Sequence, residues 1–191
     1  MQKHDGMNYA PTGAARAVCG KGEFRIAAVG LDHGHIYGMC NGLVEAGAEL
    51  ALVYDPDPAK VARFVGTYPG VKAARSEDEV LQDPAIALVA GAAVPCERGP
   101  LGLRAMAHGK DYFADKPAFV SRAQLEAARA AVAATGRKFA VYYAERLHVE
   151  AAVHAGRLIR DGAIGRVLQV IGLGPHRLNA ASRPEWFFRK E

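Results

Sequence analysis

The feature that most constrains this chain is a period in its hydrophobic pattern. Short apolar runs recur at 24–30 (FRIAAVG), 49–55 (ELALVYD), 71–74 (VKAA), 86–93 (IALVAGAA), 111–117 (DYFADKP) and 138–145 (KFAVYYAE). Between them lie segments with helical spacing at 35–47, 57–68, 76–81, 101–108 and 121–135, and a further one follows at 149–160. Near-continuous apolar strands alternating with helices of this length predict βαβ units. The expected fold is therefore α/β, a doubly wound parallel sheet with helices on both faces. Right-handed crossovers then bring the C-terminal ends of the strands, and the loops after them, to one edge.

Local signals fix several boundaries. Asp57 and Pro58 are suited to open a helix, Ser76 and Glu79 have capping-box spacing, Ser121 caps the alanine-rich helix, and Gly136 stops it. Residues 1–22 lack a period and are expected to form a flexible or surface-draped arm. Residues 23–145 are expected to form one domain, and 146–191 the incomplete beginning of a second α/β domain. A seventh strand is expected at 165–174 (GRVLQVIGLG). It has no obvious partner in the chain, because a lone strand is unstable. The chain is therefore expected to be the front part of a longer protein, with Trp186, Phe187 and Phe188 as a plug between domains.

Composition narrows the function. The net charge of +4 is spread over scattered Lys and Arg residues, so nucleic acid is not expected as a partner. Cys19, Cys40 and Cys96 form no C-x-x-C pair and are expected to be free thiols. No apolar run approaches the ~18 residues of a membrane span, and the first 22 residues lack an apolar signal-peptide core. A soluble cytoplasmic protein without a membrane partner is the expectation.

The strand-to-helix turn at 30–35 (GLDHGH) sits where a dinucleotide loop places G-x-G-x-x-G. Gly30 suits the tight turn, but Asp32 and His35 occupy the second and third glycine positions. Asp32 sets a negative charge where pyrophosphate would rest on a helix N-terminus. It would have to turn away and cap the helix, leaving Gly34 for the close approach. Asp32, His33 and His35 are also metal-ligand types, but residues one or two apart seldom converge on one ion without help from elsewhere. No metal is expected. Asp55 ends the second apolar run, 25 residues after Gly30, where an acid can accept both hydroxyls of an adenosine ribose. That favours NAD over NADP; a turn role before Pro56 is the alternative. Lys116 follows the fifth run, on the ligand edge, and can hydrogen-bond a substrate hydroxyl as hydride leaves its carbon. Pro117 restricts Lys116 and leaves a cis bond open.

Taken in order, VGLDHGH, Asp55, GLRAMAHGKDYFADKP (102–117) and RLIRDGAIGRVLQV (157–170) resemble the Gfo/Idh/MocA oxidoreductase family, named for glucose–fructose oxidoreductase and inositol dehydrogenase. The resemblance implies a Rossmann domain followed by an open-sheet α/β domain. It also implies NAD(P)-dependent hydride transfer with a sugar, cyclitol or related polyol, and a homo-oligomer as the full-length protein. Lys116 would match the lysine of the family's E-K-P motif, with Asp115 in place of Glu. The cofactor-contacting residues would be Gly30, Asp32, His33, Gly34, His35, Asp55, Pro95 and Asp115. Arg146, His148 and His176 are candidates for the substrate side.

The departures are Asp32 and His35 in the glycine loop, Gly99 where the family often has His after T-P, and no D-x-x-x-H segment to carry the usual catalytic histidine. This fragment alone is therefore expected to be inactive. A non-catalytic dinucleotide-fold module that binds or senses a ligand is the runner-up, and an assembly protein pairing through 165–174 is a third reading.

Overall fold

The computed structural model describes residues 16–144, 149–174 and 178–189. Six strands form one sheet: β1 (Arg25–Val29), β2 (Glu49–Tyr54), β3 (Lys72–Ala73), β4 (Leu88–Gly91), β5 (Asp111–Asp115) and β6 (Phe139–Tyr142). Their order is β3-β2-β1-β4-β5-β6, with every pairing parallel. The order reverses at β1, so a crevice opens beyond the C-terminal ends of β1 and β4, where this class of sheet receives its ligands.

The connecting helices are α1 (His35–Glu45), α2 (Pro58–Thr67), α3 (Glu77–Gln82), α4 (Pro95–Ala107) and α5 (Arg122–Thr135). Their caps follow the sequence signals. Asp57 accepts the Ala59 N–H at 2.8 Å, Ser76 Oγ the Glu79 N–H at 3.1 Å, and Ser121 Oγ the Gln124 N–H at 3.2 Å. The capping box at α3 is displaced by one residue on its return side, because Glu79 accepts the N–H of Arg75 at 2.8 Å. Gly136 ends α5 in the left-handed conformation, at φ 66°.

The strand centres are dry. Ile26, Ala27, Ala28, Val53, Val89 and Ala90 are fully buried, and Phe64, Ile36, Leu101 and Met106 cover them from the helices. Small residues set the helix–sheet distance. A Cβ on Gly102 would lie 2.5 Å from the Phe139 ring, so α4 settles onto the β5–β6 face only with glycine there. Lys110 is buried as well, and its ammonium donates to the Asp83 carbonyl at 2.7 Å and the Ile86 carbonyl at 2.9 Å, tying down the turn before β4.

Helix α4 starts earlier than its sequence suggests, because Pro100 lies inside it. A proline there has no N–H for the Cys96 carbonyl four residues back. Gln124 of α5 supplies the missing donor, its Nε2 standing 2.9 Å from that oxygen.

The unit built on this sheet ends at Tyr142, and the chain from Tyr143 onward belongs to a second unit. In the second unit α6 (Glu150–Arg160) forms as expected, and two short 3-10 turns follow at Ala180–Ser182 and Glu185–Phe188. The expected strand at 165–174 is not formed: the segment has no paired neighbour among the described residues, and Leu168, Val170, Ile171 and Leu173 are exposed. A strand is held by its ladder, and apolar residues alone do not make one. Among the described residues no helix is long and apolar enough to cross a membrane.

Candidate dinucleotide site at the strand ends

The β1–α1 turn is anchored on both sides. The Gly30 N–H donates to the Tyr54 carbonyl, the Ala92 N–H to the Gly30 carbonyl and the His33 N–H to the Ala92 carbonyl, all within 3.1 Å. Gly30 has φ 73°, and a Cβ there would stand 2.8 Å from that of Ala93. Its glycine is therefore required by the turn and by the packing of the β4–α4 loop. Gly34 is different. It is exposed at the N-cap of α1 with ordinary helical torsions, and a Cβ there would meet nothing within 4 Å. Gly34 has no side chain to cap α1, His33 Nδ1 accepts the His35 N–H at 3.2 Å, and the first turn holds no acid.

Asp32 does turn away from α1, but the helix it caps is α4. Its Oδ2 accepts the N–H of Val94, the α4 N-cap, at 3.2 Å, and its Oδ1 receives the Lys60 ammonium at 2.6 Å. The carboxylate therefore faces a neighbouring helix end and a cation. Pro95 opens α4 beside it.

Asp55 closes the other side. Its Oδ2 accepts the Leu31 N–H at 2.6 Å and its Oδ1 the Asp57 N–H at 2.9 Å, while the side chain is 1% exposed. Lys60 Nζ stands 3.6 Å from Oδ1. The carboxylate thus holds the turn before Pro56 and the glycine loop together.

Asp115 is the centre of a third cluster. It is fully buried, and Oδ1 accepts the Lys116 N–H at 2.7 Å and meets His35 Nδ1 at 2.8 Å. Across Oδ2 stand Arg98 Nη2 at 3.1 Å and His33 Nδ1 at 3.2 Å. Burial would raise the pKa of this carboxyl. The contacts with His33 and His35 and the Arg98 guanidinium outweigh that and hold it well below the usual carboxylate range. Sequence reasoning missed Arg98, which is 1% exposed and also donates to the Ala93 carbonyl at 2.7 Å and the Pro117 carbonyl at 3.2 Å. The only local signal was a charged residue on the inward face of α4. Lys116 itself is half-buried, and its bond to Pro117 is cis.

The fold thus gathers Gly30, Asp32, His33, Gly34, His35, Asp55, Pro95, Asp115 and Lys116 at one edge of the sheet, from the ends of β1, β2, β4 and β5. Arg146, His148 and His176 lie outside the described residues.

Residues 17–143 match the model of the Gfo/Idh/MocA oxidoreductases, a family described by its NAD-binding Rossmann fold. The chain belongs to this family. Among curated proteins it is similar to the D-xylose dehydrogenase of Paenarthrobacter nicotinovorans, with 30% identity over 120 residues, covering 60% of this chain and 30% of the relative. Among solved structures it resembles one from Erwinia carotovora atroseptica that carries an oxidoreductase name, with TM-score 0.81 and 47% identity, covering 86% of this chain and 49% of that one. It also resembles one from Sinorhizobium meliloti that carries a myo-inositol dehydrogenase name, with TM-score 0.65 and 25% identity, covering 74% and 42% respectively. The chain thus spans about half the length, or less, of these Gfo/Idh/MocA relatives.

Proposed function

We propose that this chain provides the dinucleotide half of an NAD(P)-dependent oxidoreductase that moves hydride between a nicotinamide cofactor and a sugar, cyclitol or related polyol. The observation that carries the proposal is Gly34. It is a glycine with no conformational or packing need, at the N-terminus of α1 beside open space. The missing side chain leaves room for a ligand to approach the backbone there, and a pyrophosphate is the ligand that a helix N-terminus favours. The names of the D-xylose and myo-inositol dehydrogenase relatives support a polyhydroxylated substrate.

The residues fit such a cofactor. Gly30 and Gly34 would admit the phosphates, with the charge of Asp32 met by Lys60. The bound nicotinamide supplies the hydride acceptor or donor. Lys116 would hydrogen-bond the substrate hydroxyl and favour its alkoxide form, and Asp115 holds the Lys116 backbone in place through the N–H bond of 2.7 Å. Asp55 would accept the hydroxyls of the adenosine ribose. Because Lys60 balances its charge, its repulsion of a 2′-phosphate is weak, and we expect only a modest preference for NAD over NADP. Residues 146–191 would begin the substrate domain of a homo-oligomer.

The test is turnover of the full-length protein against a panel of sugars and cyclitols with both cofactors, in wild type and Lys116→Met. We expect activity that the variant loses while its dinucleotide affinity stays within about twofold, the mark of a group acting on the reacting atoms. A folded protein that binds neither nucleotide would favour the sensing-module alternative.

A further inference from the structure

Past the ends of β2 and β3 a cleft of about 870 Å³ opens along α2. That volume lies within the range of about 300–1,000 Å³ that small-molecule sites occupy. Its walls are mostly apolar, with Tyr54 and Ala74 from the sheet side and Val61 and Val65 from α2. Two charged residues line it, Asp55 and Arg75. Apolar walls with a few polar groups take up a flat ring and let those groups select what the ring carries.

The strand register sets the two charges side by side. β2 and β3 run parallel with Leu52 opposite Lys72 and Val53 opposite Ala73, and the Ala74 N–H donates to the Val53 carbonyl at 2.9 Å. Carried two residues further, this register puts Arg75 level with Asp55, each just past the end of its strand. Paired strands lie only about 4.8 Å apart. The acid suited to the hydroxyls of an adenosine ribose therefore has an arginine as its lateral neighbour.

Arg75 is available for a ligand. Its side chain is 90% exposed, and its Nε donates to Glu79 Oε2 at 3.0 Å. An exposed pair of this kind is weak, because water and salt screen it. That bond uses Nε, which leaves the two Nη groups for a phosphate, and the planar fork of arginine matches phosphate oxygens in geometry. Lys60 does not compete for this role. It meets Asp32 at 2.6 Å and Asp55 at 3.6 Å, and it does not line the cleft.

We propose, resting on the dinucleotide function above, that Arg75 determines the cofactor choice of this chain by pairing with the 2′-phosphate of NADP at the rim of the cleft. NAD carries a hydroxyl at that position and makes no use of the guanidinium. Asp55 favours NAD and Arg75 favours NADP, so the two residues together keep the preference modest.

The chain is titrated with NAD and with NADP by calorimetry, as wild type, Arg75→Ala, Arg75→Gln and Arg63→Ala. Arg75 is exposed and its backbone bond to Glu79 is kept in both variants, so they should melt like wild type. We expect wild type to bind both nucleotides with affinities within about tenfold of each other. Both Arg75 variants should lose at least about tenfold in NADP affinity, the value of a hydrogen bond to a charged group, with NAD affinity within about twofold of wild type. Arg63→Ala, exposed on α2 and away from the cleft, should change neither. NAD binding with NADP affinity unchanged in the Arg75 variants overturns the role of Arg75 alone, as does a wild type that binds NAD and not NADP. A folded wild type that binds neither nucleotide overturns the dinucleotide function and this role with it.

Discussion

Lys60 reaches back from the first turn of α2 to Asp32, with its ammonium 2.6 Å from Oδ1, while Oδ2 of the same carboxylate caps α4 through the Val94 N–H. This acid in the glycine loop is a bracket between two helices. Asp32→Gly should therefore destabilise the fold by about 1–2 kcal/mol, mostly from the lost helix cap, since the ion pair is partly exposed and contributes little. Urea unfolding measures this. If the variant were as stable as wild type and bound NAD more tightly, the carboxylate would be opposing phosphate after all.

Asp115→Asn removes one partner of a buried Arg98 pair and should cost about 3–5 kcal/mol at neutral pH. The sign of its pH dependence follows from the lowered pKa of Asp115. The stabilisation is fully present above the unfolded value of about 3.9 and is lost as pH falls through the folded value. The difference between wild type and variant should be flat above about pH 5 and shrink below about pH 4. A gap that widened on acidification would contradict the ionised carboxylate.

Gln124 and Pro100 should be coupled through the Cys96 carbonyl. Gln124→Ala removes that donor and should cost about 1–3 kcal/mol. In a Pro100→Ala background the restored helix N–H takes over, and the penalty should fall to less than half. A double-mutant cycle in urea reads the coupling, and additive penalties would show that Gln124 does not serve this carbonyl.

The alternation of strands and helices, the helix caps and the edge that carries Gly30, Asp55 and Lys116 were legible in the sequence, because each follows from local periodicity or a capping rule. What was not legible depends on partners distant in the chain. Pro100 reads as a helix breaker until Gln124 is known to face Cys96. The burial of Arg98 makes sense only with Asp115 beside it. Asp32 reads as an unpaired acid because its partner Lys60 is 28 residues away. The run at 165–174 has strand character in composition, yet a ladder needs a neighbour that the described residues do not supply.

The most direct test of the central claim is calorimetric titration of NAD into wild type and Gly34→Leu. A Cβ at this N-cap position meets no protein atom within 4 Å, so the loss of the glycine should cost no more than about 1 kcal/mol. We expect wild type to bind NAD and the variant, folded by its melting curve, to lose at least tenfold in affinity, by roughly 1.4 kcal/mol or more. Equal NAD affinity in the two folded proteins would contradict a dinucleotide seat at this helix end.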